Sequence, residues 1–565
     1  MSDVVKFLAL GGQDENGKSM YTFEINNKIF IVDVGFKFPE VSKLGIDIVI
    51  PSFDYLIENK ERVVAIIITH GHDDVMAGLG YLLEEINAPI YAPSLTSHLI
   101  EEMIKKYNRD NKTRLKPRIL KVKRNSKIKI SDVETLFFPV THSIPDSVGV
   151  AFKTTQGYIV YSSEFIIDFG APEGFKSNFQ SMMEIGKKGV LALFAESSYS
   201  SKEGYTSPKH KLTSKIEHIF EDAKGRIIIS SFAQNVFRIQ EIIALTKKFN
   251  RKIIFYGRDK HDHTNTLLRI DKNQSNPIFD ISPNDIADKS WIGNSDYNDQ
   301  LVVLLTGSPK NIYHDICDII DGGDDLLKII KSDTFIVSSP VLAGTEKLAN
   351  TAQNGLYRTD ARIHLLKNKD LTSMHASIED LKVLIQVFKP KYYVPIKGEY
   401  QHFISNSKVA SLASIPDENI LIVDNGEKIT FENNSVLKQR EIVEIEDIMI
   451  DGIGVGDVGS KVIDDRIQLA RDGVVLIGVT LHHQTREIVS QIDIQTRGFV
   501  YLKDSESIIS ELMKITEEEL SQAKENRKID LVDVRQNIRD RAVKFIVKSI
   551  AKRPVILPII VEVQG

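Results

Sequence analysis

The sequence predicts a layered α/β chain of several domains, closed by a small α+β domain. Three observations carry this. Strand-like and helix-like runs alternate as far as Glu432. Val63-Val-Ala-Ile-Ile-Ile-Thr69 is continuous and β-branched, as a strand buried on both faces requires. From Glu432 to Lys461 the chain is poor in aromatics and carries Gly452, Gly454, Gly456 and Gly459, which predicts a linker before a tail with its own pattern.

The elements follow in order. Val5 to Leu10 reads as a strand ending at Gly11-Gly12. Tyr21 to Ile25 and Lys28 to Val34 flank Asn26-Asn27, a hairpin signal. After Val63 to Thr69, Leu79 to Ile86 and Leu95 to Tyr107 read as helices. Arg226 to Ser230, Lys252 to Tyr256, Leu301 to Leu305 and Thr334 to Ser338 read as short parallel strands with helices between them. Leu381 to Phe388 resumes as a helix and Lys391 to Pro395 as a strand. In the tail, strands Val474 to Thr480 and Ile488 to Ile494 precede two helices. One carries Ile508, Leu512 and Ile515, the other Val534, Ile538 and Phe545, at helical spacing. A last strand runs from Val555 to Val563. The domains expected are 1–211, interrupted by an insertion over 212–369, then a return segment 370–431, a linker 432–461 and a terminal domain 462–565.

Composition bounds the function. Of 565 residues, 42% are hydrophobic and 26% charged, which excludes collagen, wholesale disorder and coiled-coil rods. The one cysteine, Cys317, excludes an intrachain disulfide and any Cys-rich zinc module, and fits a reducing cytoplasm. No apolar run approaches the roughly 18 residues of a membrane span, and the first ten residues lack the basic segment of a signal peptide. Net charge is −5, which argues against nucleic acid as a partner of the whole surface. The local distribution argues the other way: Lys105 to Lys129 holds twelve basic residues and one acidic residue, Asp110. That stretch is a solubilising surface or an electrostatic footprint for a polyanion.

The chemistry begins after the buried strand, at Thr69-His70-Gly71-His72-Asp73-Asp74-Val75. His-x-His-x-Asp places imidazoles and a carboxylate at the carboxyl edge of a sheet. Two neutral imidazoles there ligate zinc or manganese, and Asp74 stands where a second ion binds. His142 follows another apolar run, Leu136 to Val140. Glu164 ends the strand-like Tyr158-Ile-Val-Tyr-Ser-Ser. The order His-x-His, His, carboxylate, each after a strand, is more specific than any one of its parts.

This order resembles the metallo-β-lactamase fold, and the long insertion resembles the β-CASP nucleases within it. The match is to ribonuclease J and covers almost the whole chain. It extends through Leu10-Gly-Gly-Gln-Asp-Glu-Asn-Gly-Lys-Ser-Met-Tyr21, His142-Ser-Ile-Pro-Asp-Ser147, Phe232-Ala-Gln-Asn-Val-Phe-Arg238, Val394-Pro-Ile-Lys-Gly-Glu-Tyr400, Arg497-Gly-Phe-Val-Tyr501 and Arg553-Pro-Val-Ile-Leu-Pro558. The resemblance implies an αββα sandwich with an inserted β-CASP α/β domain and a terminal domain for subunit association. It implies a two-metal 5′-to-3′ exoribonuclease with endonuclease activity, acting in rRNA maturation and mRNA processing or decay. By position, His70, His72 and His142 hold the first ion and Asp74 the second, with Glu164 at the bridging aspartate. Asp74 and His375 are the catalytic groups. Asn235 and Arg238 lie near RNA, and Ser373, Met374 and His375 receive a 5′-phosphate.

The departures are as informative. Val75 replaces a histidine of the family pattern, Lys397 replaces another, and Glu164 is one methylene longer than aspartate. Valine has no lone pair, and an ammonium has only donors. Lys397 is therefore expected to fill the space of the lost second ion and neutralise Asp74 and Glu164. At most one zinc or manganese ion per chain is expected, with none as the limiting case. The pattern resembles a degenerate second paralogue of the family, found in Gram-positive bacteria. It implies weak turnover, self-association as a homodimer or higher oligomer, and assembly with the active ribonuclease J paralogue. The alternative is a catalytically inactive subunit of that assembly.

Overall fold

The computed structural model describes residues 2–39, 45–257, 267–268, 279–342, 344–452, 454–455, 460–499, 505–525 and 530–564. Gly456, Gly459 and Tyr501 lie outside them. Two compact units emerge: Met1–Phe38 with Ile48–Ile448, and Pro39–Asp47 with Met449–Gly565.

The first unit is built on two facing sheets. β1 (Val5–Gly11), β2 (Met20–Ile25) and β3 (Lys28–Val32) are antiparallel neighbours. Asn26 and Asn27 join β2 to β3 at φ 49° and 68°, the left-handed region that asparagine tolerates. β4 (Val63–Ile67), β5 (Ile90–Pro93) and β6 (Ile119–Val122) then add in parallel, making β6 the sheet edge. The return strand Glu427–Glu432 closes the other side of β1. The second sheet is antiparallel from β7 (Lys127–Ile130) through β8 (Val133–Pro139), β9 (Val148–Thr154) and β10 (Gly157–Tyr161). β11 (Val190–Glu196) and the return strand Tyr392–Ile396 extend it in parallel.

Apolar residues of both inner faces form one core, including Phe7, Phe23, Phe30, Phe152 and Phe194. Helix α1 (Ser94–Asn111) packs on the outside of the first sheet. The outside of the second is covered by α2 (Phe179–Lys187) and, later in the chain, by Ile378–Phe388 and Tyr400–Leu412. This helix–sheet–sheet–helix sandwich is the architecture expected.

The insertion is a five-stranded parallel sheet of β12 (Ile227–Phe232), β13 (Lys252–Tyr256), β14 (Leu301–Gly307), β15 (Thr334–Val337) and β16 (Arg362–Leu365), in the order β13-β14-β12-β15-β16. The strand order reverses at β12. The carboxyl end of such a strand is where open α/β sheets place ligands, and the turn after β12 reaches the histidine cluster described below.

The range expected as a linker, 432–461, is partly strand. Ser435–Val436 and Glu441–Ile442 both pair with Glu427–Glu432. Strands of two residues are too short to leave a periodic signal. The second unit holds β17 (Val474–His482), β18 (Asp493–Arg497) and β19 (Val555–Val563), in the order β18-β17-β19. Two long helices, Ser505–Glu525 and Leu531–Ile550, cover one face. The other face exposes Leu557, Ile559 and Val561. The strand expected over Ile488 to Ile494 begins only at Asp493. Before it, Ser490 Oγ accepts the Thr480 N–H and takes a place in the ladder that a backbone carbonyl would fill.

Candidate metal centre and cleft

The centre starts from Thr69, two residues past β4. Its N–H and its hydroxyl both donate to Asp33 Oδ1, at 2.9 Å each. Asp33 follows β3 and also accepts the Tyr161 hydroxyl at 2.6 Å. Burial pushes the Asp33 carboxyl up to about 6. With its hydrogen committed to Asp33, the Thr69 hydroxyl presents a lone pair to His70 Nδ1, 3.0 Å away. His70 therefore carries its proton on Nδ1 and turns Nε2 inward. His142 Nδ1 donates to the Met374 carbonyl at 2.8 Å, which turns its Nε2 inward as well. His72 faces the Gln234 carbonyl and Ser143 Oγ through Nε2, at 3.4 and 3.2 Å, and points Nδ1 into the same space.

Three imidazole lone pairs thus converge. His72 Nδ1 lies 3.2 Å from His70 Nε2 and 3.2 Å from His142 Nε2. Glu164 Oε2 lies 3.0 Å from the inward nitrogens of His70 and His142, and 3.7 Å from that of His72. Burial pushes His70 and His142 down to about 4, so both are neutral at pH 7. Tetrahedral zinc, with bonds of about 2.0–2.1 Å, separates its donor atoms by roughly 3.3 Å. The observed separations fit a divalent ion. Among the described residues this is the one cluster of histidine and acidic side chains suited to a cation.

The neighbouring position is occupied by protein. Lys397 follows the return strand Tyr392–Ile396, where φ of 54° turns the chain. Its side chain is buried, and its ammonium contacts Glu164 Oε1 and lies 3.3 Å from Asp74 Oδ2. Burial opposes that charge, but Glu164 and Asp74 hold the ammonium's pKa well above its ordinary value. Burial likewise opposes ionised Glu164, and Lys397 keeps its carboxyl well below the usual range. Glu164 thereby divides its oxygens: Oε2 faces the histidines and Oε1 faces Lys397. Asp74 faces Lys397 and lies outside the histidine cluster. Val75 is fully buried. Gly35 lets the Asp74 backbone come close, since a Cβ there would sit 1.7 Å from the Asp74 carbonyl oxygen.

On the far wall, His375 Nδ1 meets Glu196 Oε2 at 2.7 Å. Glu196 ends β11, and its other oxygen accepts the N–H groups of Phe165 and Ala376, at 2.9 and 3.1 Å. Burial opposes protonation of His375, but Glu196 raises it to about 9, so it is an imidazolium at neutral pH. Its ring lies 5.7 Å from that of His142 and 5.4 Å from that of Tyr199. The Tyr199 hydroxyl accepts the Ser373 N–H at 3.3 Å, and the Lys202 ammonium sits 3.0 Å over the Tyr199 ring. Burial works against a tyrosinate there, but His375 and Lys202 bring the Tyr199 hydroxyl below its ordinary pKa.

The residues expected near RNA divide. Asn235 caps α3 (Val236–Lys248), its Oδ1 accepting the Arg238 N–H at 3.1 Å. Arg238 is buried and donates to the Ser338 carbonyl at 2.9 Å. Its Nε and the nearby Gln240 Oε1 have no hydrogen-bond partner among the described residues. Met374 contributes its carbonyl to His142, and its side chain is buried. Sequence reasoning missed Asp33, Glu196, Tyr199 and Lys202. Asp33 and Glu196 carry the signal that exposed Glu164, a carboxylate at the carboxyl end of a mainly apolar strand.

Three family models match the chain: the beta-lactamase superfamily domain over residues 48–168, the ribonuclease J beta-CASP domain over 224–356 and the ribonuclease J C-terminal domain over 461–563. Two curated relatives, each called Ribonuclease J 2, come from Staphylococcus saprophyticus and Staphylococcus aureus strain MRSA252. Each is 33% identical over 559 residues, 99% of this chain and 98% of the relative. A crystal structure of a protein of unknown function from Enterococcus faecalis V583 shares the fold, with a TM-score of 0.52 and 14% identity over 76% of this chain and 100% of that one.

Proposed function

This chain belongs to the ribonuclease J family, and from that premise we propose a ribonuclease of low intrinsic activity in which one lysine stands in for one of two metal ions. The single observation that carries this is the Lys397 ammonium lodged between Glu164 and Asp74. The reading is a 5′-to-3′ exoribonuclease with endonuclease activity, serving rRNA maturation and mRNA processing or decay in the cytoplasm. No helix among the described residues is long and apolar enough to cross a membrane.

His70, His72, His142 and Glu164 would hold one zinc or manganese ion, which when bound supplies Lewis-acid polarisation of the scissile phosphodiester. The protein's own groups supply the rest. His375, charged and anchored by Glu196, offers its Nε2–H to a phosphate oxygen or to the leaving oxygen. Arg238, buried with one N–H on the Ser338 carbonyl, keeps its Nε without a partner among the described residues and supplies fixed positive charge beneath the cleft. Lys397 supplies positive charge to the cleft but cannot acidify water as a second cation would.

Two features support low turnover. Loss of a second ion costs on the order of 10²–10⁴ in rate. In addition, three imidazoles and Glu164 Oε2 already complete a four-donor set, whereas catalytic zinc sites keep a position open. The same observations favour a second reading, an inactive subunit that self-associates and joins the active ribonuclease J paralogue. The exposed Leu557, Ile559 and Val561 face suits association through the second unit.

Degradation of a 5′-monophosphorylated RNA by the chain freed of any partner separates the readings. Slow turnover abolished in His72→Ala supports the weak enzyme. Turnover indifferent to His72→Ala belongs to a contaminant, and the inactive subunit then stands.

A further inference from the structure

The basic stretch Lys105 to Lys129 has no part in the cleft. Eleven of its twelve basic side chains are exposed, and Arg124 is half-buried. The stretch carries +11 against a chain total of −5, so the remaining residues carry −16. So sharp an asymmetry on an acidic protein is a localised field, not a diffuse solubilising coat.

The fold lines these charges up. α1 leaves the carboxyl end of β5 and runs back along the sheet. The connection 112–118 then lies at the far end, and β6 returns beside β5. Along the connection, exposure alternates strictly: Lys112, Arg114, Lys116 and Arg118 are exposed, and Thr113, Leu115 and Pro117 are half-buried. Lys112 closes α1 at a φ of 57°; beyond it, a chain extended toward Pro117 spaces Arg114, Lys116 and Arg118 by about 6–7 Å. β6 then ends at Val122, and Lys123 follows it on the sheet edge that carries His70, two strands from β4 and so roughly 10 Å away.

Edge strands use lysine to block strand pairing. That accounts for Lys121 on β6 and for Lys127 and Lys129 on β7, since each is the outer strand of its sheet. It does not account for Lys106, Lys112, Arg114, Lys116, Arg118 and Lys123. These six lie off the strands, and none of their side chains has a hydrogen-bond or ion-pair partner among the described residues. A protein-binding face would deplete lysine and present aromatic or apolar anchors, which this strip lacks. A regular row of unpaired cations suits a phosphodiester backbone.

We infer that this edge is a second RNA-binding surface, a track that holds the backbone of a single strand outside the cleft. The inference rests on the RNA reading above and adds a site to it. The test is binding of a fluorescently labelled oligouridylate to the full chain, titrated in salt from about 0.05 to 0.2 M. Wild type is compared with the triple variant Arg114→Glu, Lys116→Glu, Arg118→Glu and with the cleft variant His375→Ala. The three replaced side chains are exposed, so the melting temperature of the triple variant stays that of wild type. Its affinity falls tenfold or more, and the slope of log affinity on log salt flattens by roughly 2, at about 0.7 per lost phosphate contact. Unchanged affinity and slope, with loss only in His375→Ala, overturn the track and leave the cleft reading standing. Wild type that binds no RNA overturns both. Intact RNA affinity with a reduced particle mass by light scattering makes the strip a protein interface and overturns the track.

Discussion

The two halves of the cleft have been treated differently. In one, His70, His72 and His142 converge with their proton positions set by Thr69, Met374 and Gln234. In the other, Val75 offers no donor, and Lys397 brings its own charge to Asp74 and Glu164. The first half is built for a cation from solution and the second has a cation built in. A carboxylate-lined cavity needs positive charge to stay folded, and a lysine meets that need without meeting the need of catalysis. Folding and chemistry ask different things of the same charge.

The most severe way to break this comparison is Lys397→Met. It keeps the bulk of the side chain and leaves two carboxylates facing each other in a buried site. The metal-free protein is expected to lose about 3–5 kcal/mol, read as a fall in its urea midpoint, with recovery on adding a divalent cation. An unchanged midpoint would mean that Lys397 neutralises nothing.

The converse change sharpens the contrast. Val75→His with Lys397→His restores donors to the second half. Bound metal is expected to rise from one ion to two per chain, and RNA turnover to rise on the order of 10²-fold. A stoichiometry still at one would show that Glu164 cannot bridge.

The first half is open to a milder probe. Thr69→Val removes the hydroxyl that fixes the His70 tautomer, and metal affinity should fall 10–100-fold in chelator competition. Unaltered affinity would remove the Asp33–Thr69–His70 chain from the account.

The smallest effect concerns the wall the halves share. The His375 imidazolium, stabilised by Glu196, has a folded pKa of about 9 against an ordinary value near 6.5. Its contribution is complete below that ordinary value and is lost as pH rises through about 9. RNA affinity should weaken across that window in wild type and lose this step in His375→Gln. A step that persists in the variant would assign the titration elsewhere.

The sequence exposed the first half because each ligand follows an apolar strand, and such strands end at a sheet edge. Asp33 obeys the same rule but was absorbed into the strand read over Lys28 to Val34, and Glu196 ends Val190–Glu196, a strand the sequence reading did not single out. Asn235 shows a different ambiguity. A helix cap and a substrate ligand use the same residue type at the same strand–helix turn, and only the bond to the Arg238 N–H tells them apart. A layered α/β core and the parallel insertion were legible from continuous apolar runs, whereas the sandwich itself came only from the resemblance carried by the order His-x-His, His, carboxylate. Glu441–Ile442 was not legible, because a strand of two residues is chosen by its neighbour in space rather than by its own pattern.

The central claim, that protein charge fills the second ion's place, is tested most directly by counting ions. Wild type saturated with zinc or manganese is examined by native mass spectrometry, with metal content from elemental analysis. The account predicts no more than one ion per chain. Two ions per chain, with the Lys397 ammonium displaced from Glu164, would contradict it.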